Sequence, residues 1–171
     1  MIEIIRADIT TLDVDAIVNA ANPSLAGGGG VDGAIHRGAG PELAVAAMRH
    51  GRCPPGHAVL TPGFRLRARF VVHAVGPVWE GGDDGEGDIL RATYESAFAA
   101  ARGEPSIRSI AFPAISTGVY GFPKREAARV ALEVMHGHEA EFERIVACVF
   151  DAESERIYRS LAGMPGSATG G

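Results

Sequence analysis

Residues 19–36 read Asn-Ala-Ala-Asn-Pro-Ser-Leu-Ala-Gly-Gly-Gly-Gly-Val-Asp-Gly-Ala-Ile-His. This stretch follows a strand-like segment, residues 14–20, and enters a helical pattern at residue 33. Successive glycines let the backbone turn several N–H groups toward one point, and a helix N-terminus adds partial positive charge. The stretch therefore predicts an anion site that needs no lysine or arginine. The alternative is a flexible surface loop.

Strand-like and helix-like segments alternate along the rest of the chain. Apolar and β-branched runs predict strands at 2–6, 14–20, 57–62, 68–75, 107–112 and 144–150. Helical spacing predicts helices at 33–50, 88–102, 123–136 and 153–162. This alternation predicts an α/β domain with a largely parallel sheet between helical layers. Ligands of such sheets bind outside the carboxyl ends of the strands, where the loops after 14–20, 107–112 and 144–150 would lie.

Composition limits the class of protein. The chain has 171 residues, 46% of them hydrophobic, which fits one globular domain. No apolar run approaches the roughly 20 residues that cross a bilayer, so we expect a cytoplasmic protein without a membrane partner. The net charge of −5 argues against binding of duplex nucleic acid. Five carboxylates fall within residues 80–88, which we expect to be a mobile loop, and the remaining charges balance.

Common cofactor and metal motifs are not matched. Gly28, Gly30 and Gly33 fit G-x-G-x-x-G, but they come too late after the strand, and no acidic residue follows at the distance a dinucleotide site needs. No Gly-Lys-Ser/Thr follows the glycines, and no Cys-x-x-Cys or His-Glu-x-x-His occurs. Two cysteines cannot form a disulfide framework. We therefore expect neither a metal nor a cofactor.

Three segments, in this order, resemble a known family. Residues 19–37 are the first, residues 73–77 (His-Ala-Val-Gly-Pro) the second, and residues 115–123 (Ile-Ser-Thr-Gly-Val-Tyr-Gly-Phe-Pro) the third. Together they resemble the macro domain family and are most similar to its MacroD-type ADP-ribosylhydrolases. The resemblance spans residues 1–162. It implies one three-layer α/β/α domain with a central mixed, largely parallel sheet. We expect a monomer, and the composition of residues 163–171 predicts a flexible C-terminal tail.

The resemblance implies that the ligand is ADP-ribose. The Asp8 carboxylate would accept a hydrogen bond from the adenine amino group and reject guanine, the Ile9 backbone would read the ring edge, and Phe150 would stack on the base. Backbone N–H groups of two loops would hold the diphosphate: Gly30, Val31, Gly33, Ser116, Thr117, Gly118 and Val119. Simpler roles are open: Asp8 could cap a turn, Phe150 could pack in the core, and the second loop could be an ordinary turn.

The resemblance also implies three catalytic residues. Asn22 would orient the distal ribose, Asp32 would position a water near the anomeric carbon, and Tyr120 would press the ribose toward that water. Because a helix N-terminus stabilises a charged carboxylate, we expect Asp32 to orient water well but to accept a proton poorly. A phosphate oxygen of the substrate could then take the proton. The alternatives are a turn residue at Asn22, an N-cap at Asp32 and a solvent-facing Tyr120.

The implied function is hydrolysis of ADP-ribose derivatives. The expected reactions are removal of mono-ADP-ribose from acidic side chains of ADP-ribosylated proteins and deacetylation of O-acetyl-ADP-ribose. A non-catalytic ADP-ribose reader is the main alternative. A protein that binds RNA or poly-ADP-ribose is disfavoured by the acidic balance.

Overall fold

Six strands form one sheet in the computed structural model, which describes residues 1–163. They are β1 (Ile2–Arg6), β2 (Ala16–Ala21), β3 (Ala58–Pro62), β4 (Phe70–Val75), β5 (Ser109–Phe112) and β6 (Arg144–Val149). Their order across the sheet is β1-β6-β5-β2-β4-β3. Every neighbouring pair is parallel except β3 and β4, which are antiparallel. The predicted mixed, largely parallel sheet is confirmed.

Within residues 1–163, five α-helices cover the two faces of the sheet. They are α1 (Gly30–Ala39), α2 (Glu42–Met48), α3 (Glu86–Arg102), α4 (Lys124–Gly137) and α5 (Ala152–Ala162). Alternate residues of a strand enter opposite cores: Val72 packs with residues of α3, α4 and α5, and Val71 packs with residues of α1 and α2. This alternation produces the three α/β/α layers. The predicted tail, residues 163–171, lies outside the described residues except for Gly163, which ends α5 at φ 71°.

Two local predictions are corrected. The helix predicted over residues 33–50 is two helices, because Gly40 leaves the helical conformation at φ 91° and Pro41 follows it. The acidic segment at residues 80–88 is held in place rather than loose. The Glu86 carboxylate accepts hydrogen bonds from the backbone N–H groups of Glu80, Gly82 and Asp84, at 2.8–3.0 Å. These bonds, with that to Glu80 first, lower the pKa of Glu86 to about 2.

Candidate active site

The predicted site residues lie at the carboxyl edge of the sheet, on loops and in the first turn of α1. Asp8 follows β1, Phe150 follows β6, Ser116 follows β5, and Asn22 follows β2. Because these four strands are neighbours in the order β1-β6-β5-β2, their loops form a row along one edge. Asp8 and Phe150 stand at one end of the row, and Asn22 and Asp32 stand at the other. The arrangement matches the rule that ligands of open α/β sheets bind at this edge.

Asp8 caps a short 3₁₀ turn, Ile9–Thr11. Its Oδ1 accepts hydrogen bonds from the backbone N–H of Thr10 at 2.9 Å and from the Thr10 hydroxyl at 2.7 Å. The capping alternative is therefore present in the structure. It does not exclude a ligand, because the Asp8 side chain is exposed. The Ile9 side chain is buried, so only its backbone could face a ligand.

Phe150 is an exposed aromatic residue at the end of β6. It exposes 82% of its surface, so the alternative that it packs in the core is wrong. The Ala7 N–H donates to the Val149 carbonyl at 3.0 Å, which holds the segment leading to Asp8 beside the segment leading to Phe150. An exposed ring next to a hydrogen-bond acceptor suits a flat base that stacks and donates an amino hydrogen.

Asn22 shapes the first loop. Its Oδ1 accepts hydrogen bonds from the Ser24 backbone N–H, the Ser24 hydroxyl and the Leu25 N–H, at 2.6–3.1 Å. Its Nδ2 donates to the Gly27 carbonyl at 2.9 Å. The alternative role of Asn22, as a turn residue, is therefore present in the structure. If Asn22 contacts a ribose, it does so with a side-chain amide whose orientation these loop hydrogen bonds already fix.

Glycines let the first loop close tightly against α1. The Gly33 N–H donates to the Gly29 carbonyl at 3.1 Å, where the helix begins. A methyl group on Gly33 would lie 2.6 Å from the Gly28 carbonyl oxygen, which is closer than atoms can approach. Gly30 adopts φ 57°, a conformation that other residues rarely adopt. Val31 is half-buried and packs against the core beneath α1.

Asp32 lies in the first turn of α1 and is 6% exposed. Its Oδ1 accepts a hydrogen bond from the Asn19 Nδ2 at 2.8 Å, and the His36 Nε2 lies 3.3 Å from the same oxygen. A methyl group on Gly28 would lie 3.2 Å from the Asp32 Oδ2 and 3.5 Å from the Asn22 Nδ2. The structure therefore brings Asn22 and Asp32 together over Gly28.

The basicity of Asp32 differs from the prediction. Burial raises the pKa of its carboxyl above the ordinary value, and the Asn19 hydrogen bond and the nearby His36 offset the rise only in part. The helix N-terminus alone would have lowered this pKa. Removal from water is the larger effect, because it penalises the charged form. Asp32 is consequently a better proton acceptor than its position in the sequence indicated.

The second loop joins β5 to α4. Ser116 adopts φ 69°, and its buried hydroxyl lies against Gly76, the residue that follows β4. The Thr117 hydroxyl donates to the Ala114 carbonyl at 2.9 Å. The Gly121 N–H donates to the Gly118 carbonyl at 3.0 Å, which closes the turn around the exposed Val119.

Tyr120 connects this loop to the segment that follows β4. It is half-buried, and its carbonyl accepts a hydrogen bond from the Trp79 N–H at 2.8 Å. The Trp79 ring packs on Phe122 with centroids 4.7 Å apart. The backbone of Tyr120 is therefore anchored, which would fix the point from which its ring approaches a ligand.

Asn19 and His73 are polar residues near Asp32 that the sequence did not assign to the site. Both are fully buried, and they are register partners on β2 and β4. The signal for them in the sequence is an amide and an imidazole inside otherwise apolar strands. Buried polar groups generally have hydrogen-bond partners, so such residues indicate contacts with other polar groups.

Within residues 1–163 no three His, Cys, Asp or Glu side chains lie close enough to hold a metal ion. None of the helices in this range is long and apolar enough to span a membrane.

Fold and site together define a three-layer α/β/α domain with candidate ligand loops at the carboxyl edge of a parallel sheet. The family model described as Macro domain matches residues 18–131. The chain belongs to the macro domain family.

Named relatives cover nearly the whole chain. An O-acetyl-ADP-ribose deacetylase from Klebsiella pneumoniae (strain 342) is 53% identical over 166 residues, which are 93% of this chain and 94% of that protein. A second protein of that name, from Citrobacter rodentium, is 51% identical over 94% of each chain. An Oceanobacillus iheyensis macrodomain variant with ADPR has a TM-score of 0.88 and 39% identity, and the match covers 97% of this chain and 94% of that one.

Proposed function

We propose that this protein binds ADP-ribose along the carboxyl edge and hydrolyses its derivatives. The substrates would be O-acetyl-ADP-ribose and mono-ADP-ribose esters on acidic side chains of proteins. The relatives named O-acetyl-ADP-ribose deacetylase support the first substrate. The observation that carries the catalytic part is the buried Asp32 carboxylate, which borders the same space over Gly28 as the Asn22 amide.

The row of loops supports one orientation of the ligand. Asp8 and Phe150 would hold the adenine, by a hydrogen bond to its amino group and by stacking. The two glycine-rich loops would hold the diphosphate with backbone N–H groups. The distal ribose would then reach Asn22, Asp32 and the ring of Tyr120. This order follows the strand order β1-β6-β5-β2.

Asp32 would position the attacking water. For an ester at the anomeric carbon, the bond from that carbon to the leaving carboxylate would break through an oxocarbenium-like state as water adds. For O-acetyl-ADP-ribose, the water would add to the acetyl carbonyl and the bond from the acetyl carbon to the ribose oxygen would break, so that acetate leaves and the ribose oxygen takes up a proton as a hydroxyl. The proton of the water would pass to the Asp32 carboxylate, whose pKa is raised by burial, with a phosphate oxygen of the substrate sharing this role.

A non-catalytic reader is the second candidate function. The exposed Phe150 and the glycine loops would serve a reader equally well. A reader would not need a buried carboxylate at the ribose end, because burial of an ionisable group is costly without a chemical use. The site therefore favours a hydrolase.

Release of ADP-ribose tests this choice. Purified protein is incubated with O-acetyl-ADP-ribose and, separately, with a protein modified on acidic side chains, and free product is measured against time. We expect deacetylation and release of ADP-ribose. ADP-ribose binding without either reaction would identify a reader.

Calorimetric titration with ADP-ribose, AMP and NAD tests the ligand assignment. We expect the tightest binding for ADP-ribose, because AMP lacks the second phosphate and the distal ribose. Equal affinity for AMP would contradict the role of the two loops in holding the diphosphate.

A further inference from the structure

A chain of buried hydrogen bonds leads away from Asp32 through the sheet. The Asn19 Nδ2 donates to the Asp32 Oδ1 at 2.8 Å and lies 3.3 Å from the His73 Nδ1. The His73 Nε2 lies 2.9 Å from the Thr61 Oγ1, and the Thr61 hydroxyl donates to the Pro62 carbonyl at 3.1 Å. The chain thus joins α1 to the edge strand β3 across β2 and β4.

The two ends of this chain fix the direction of every bond. The Thr61 hydroxyl donates to the Pro62 carbonyl, which leaves its oxygen to accept from His73 in the tautomer that carries the ring hydrogen on Nε2. The His73 Nδ1 then carries a lone pair and accepts from Asn19. At the other end the Asp32 carboxylate also accepts. The Asn19 amide therefore donates both of its hydrogens, one to Asp32 and one to His73.

This arrangement leaves one buried atom without a partner. Among the described residues, nothing donates a hydrogen bond to the Asn19 Oδ1. A rotated amide would not relieve this, because its oxygen would face the Asp32 carboxylate and the His73 lone pair. An unsatisfied buried acceptor destabilises a fold. The two acceptors that Asn19 faces, Asp32 and His73, therefore fix the direction of its amide in spite of this cost.

The His73 ring is neutral at pH values above its lowered pKa. Burial, together with the neighbouring His36 and His50, lowers the pKa of His73 to about 3. The ring therefore stays neutral and continues to accept from Asn19 as the pH falls through the range in which carboxylates titrate.

We propose that Asn19, His73 and Thr61 are positioning residues for hydrolysis, because they force an N–H of Asn19 rather than its carbonyl to meet Asp32. The Asp32 carboxylate is thereby held toward Gly28 and Asn22. This inference rests on the proposed function, since it assigns the three residues to the hydrolytic use of Asp32. None of the three touches the substrate in this account, and each acts through its neighbour in the chain.

His73→Leu and His73→Gln test the proposal as a pair. Leucine removes the acceptor and frees the Asn19 amide to rotate, whereas glutamine offers an oxygen to Asn19 and an N–H to Thr61. The titration of the Asp32 carboxyl carbon is followed by NMR in each protein. We expect its midpoint to move to higher pH in His73→Leu and to return toward the wild-type position in His73→Gln.

The rate of hydrolysis gives the second measurement. We expect the single-turnover rate of His73→Leu at saturating substrate to fall about tenfold, the effect of losing about one charge-assisted hydrogen bond. The acidic limb of its pH–rate profile should move to higher pH. Thr61→Val is a milder variant that removes only the hydroxyl, and we expect a smaller change in the same direction.

Thr93→Val is the matched control. Thr93 is also a buried threonine against β4, and its hydroxyl donates to the Val75 and Ile89 carbonyls, away from Asp32. We expect Thr93→Val to lower the unfolding temperature without moving the Asp32 titration. The proposal is overturned if His73→Leu titrates like Thr93→Val, or if the leucine and glutamine variants behave alike. Because the NMR titration needs no turnover, it distinguishes failure of this hydrogen-bond chain to position Asp32 from failure of the proposed hydrolase function.

Discussion

Phe150 exposes 82% of its surface at the β1–β6 end of the candidate site, whereas Asp32 exposes 6% at the β2–β4 end. The neighbour of Phe150, Asp8, is held by contacts within its own turn. Asp32 instead depends on Asn19, a residue of the central sheet. The exposed end can bind a ligand without supporting the fold. At the buried end, the group assigned to chemistry is also part of the core.

This difference predicts two kinds of variant. A substitution at the exposed end should change ligand affinity and leave stability nearly unaltered, because surface side chains contribute little to folding. A substitution at the buried end should change stability together with function.

Phe150→Ala should give the largest change in affinity. Loss of base stacking costs about 1–3 kcal/mol, which raises the Kd for ADP-ribose about 5- to 150-fold. The unfolding free energy should change by less than about 0.5 kcal/mol. Phe64→Ala is the control, since Phe64 is 42% exposed and precedes β4 at the opposite edge of the sheet. An unchanged Kd in Phe150→Ala would remove adenine stacking from the account.

Gly33→Ala should destabilise the buried end. Its methyl group would lie 2.6 Å from the Gly28 carbonyl oxygen, so the first loop must shift at a cost of about 1–3 kcal/mol. Thermal unfolding measures this cost, because the Tm should fall by about 2–4 °C for each kcal/mol of destabilisation. Gly29→Ala is the matched control, because a methyl group there meets nothing within 4 Å and φ is −98°. Equal Tm values for the two variants would contradict the tight closure of the loop.

Asp8→Asn should alter base selectivity. The amide can keep accepting from Thr10, but its own N–H₂ can face a guanine carbonyl, which the carboxylate repels. We expect the preference for ADP over GDP to fall about tenfold, the effect of about 1.4 kcal/mol. Titration with both nucleotides measures it, and Thr10→Val controls for loss of the hydroxyl contact. A preference that does not change would place the adenine amino group elsewhere.

Asp32→Asn should raise stability at neutral pH. The folded state raises the pKa of Asp32 above its ordinary value of 3.8, so ionisation destabilises the fold as the pH rises through that range. The neutral variant should therefore unfold at a higher temperature at pH 7, and the gain should vanish below about pH 3.8.

Glu86→Gln should shift the Tm at pH 7 in the opposite direction. The pKa of Glu86 is lowered to about 2, so its stabilising effect is present above the ordinary value of 4.5 and is lost as the pH falls toward 2. Glu86→Gln should lower the Tm at pH 7. Two variants that shift the Tm in the same direction would contradict the opposite pKa shifts of these two carboxylates.

The layers and the order of the loops could be predicted because they depend on local patterns. β-Branched runs and helical spacing identify the elements, and their alternation gives the parallel sheet. The break at Gly40 and Pro41 was missed because the helical spacing of apolar residues continues past it. Periodicity reports which face is apolar, but not whether the backbone bends between two helices.

The connections of Asp32 could not be predicted because they depend on strand pairing. Asn19 and His73 are 54 positions apart, and they meet only through the register of β2 with β4. The local rule for helix N-termini predicted a weakly basic Asp32. Burial, which is set by the whole fold, reversed that expectation.

In the proposed function, the buried carboxylate of Asp32 performs chemistry rather than binding. The single-turnover rate of O-acetyl-ADP-ribose hydrolysis by Asp32→Asn at saturating substrate measures this role. We expect the rate to fall about 100-fold or more, the range for loss of a general base, while the Kd for ADP-ribose stays within about threefold. A wild-type rate in Asp32→Asn would contradict the account.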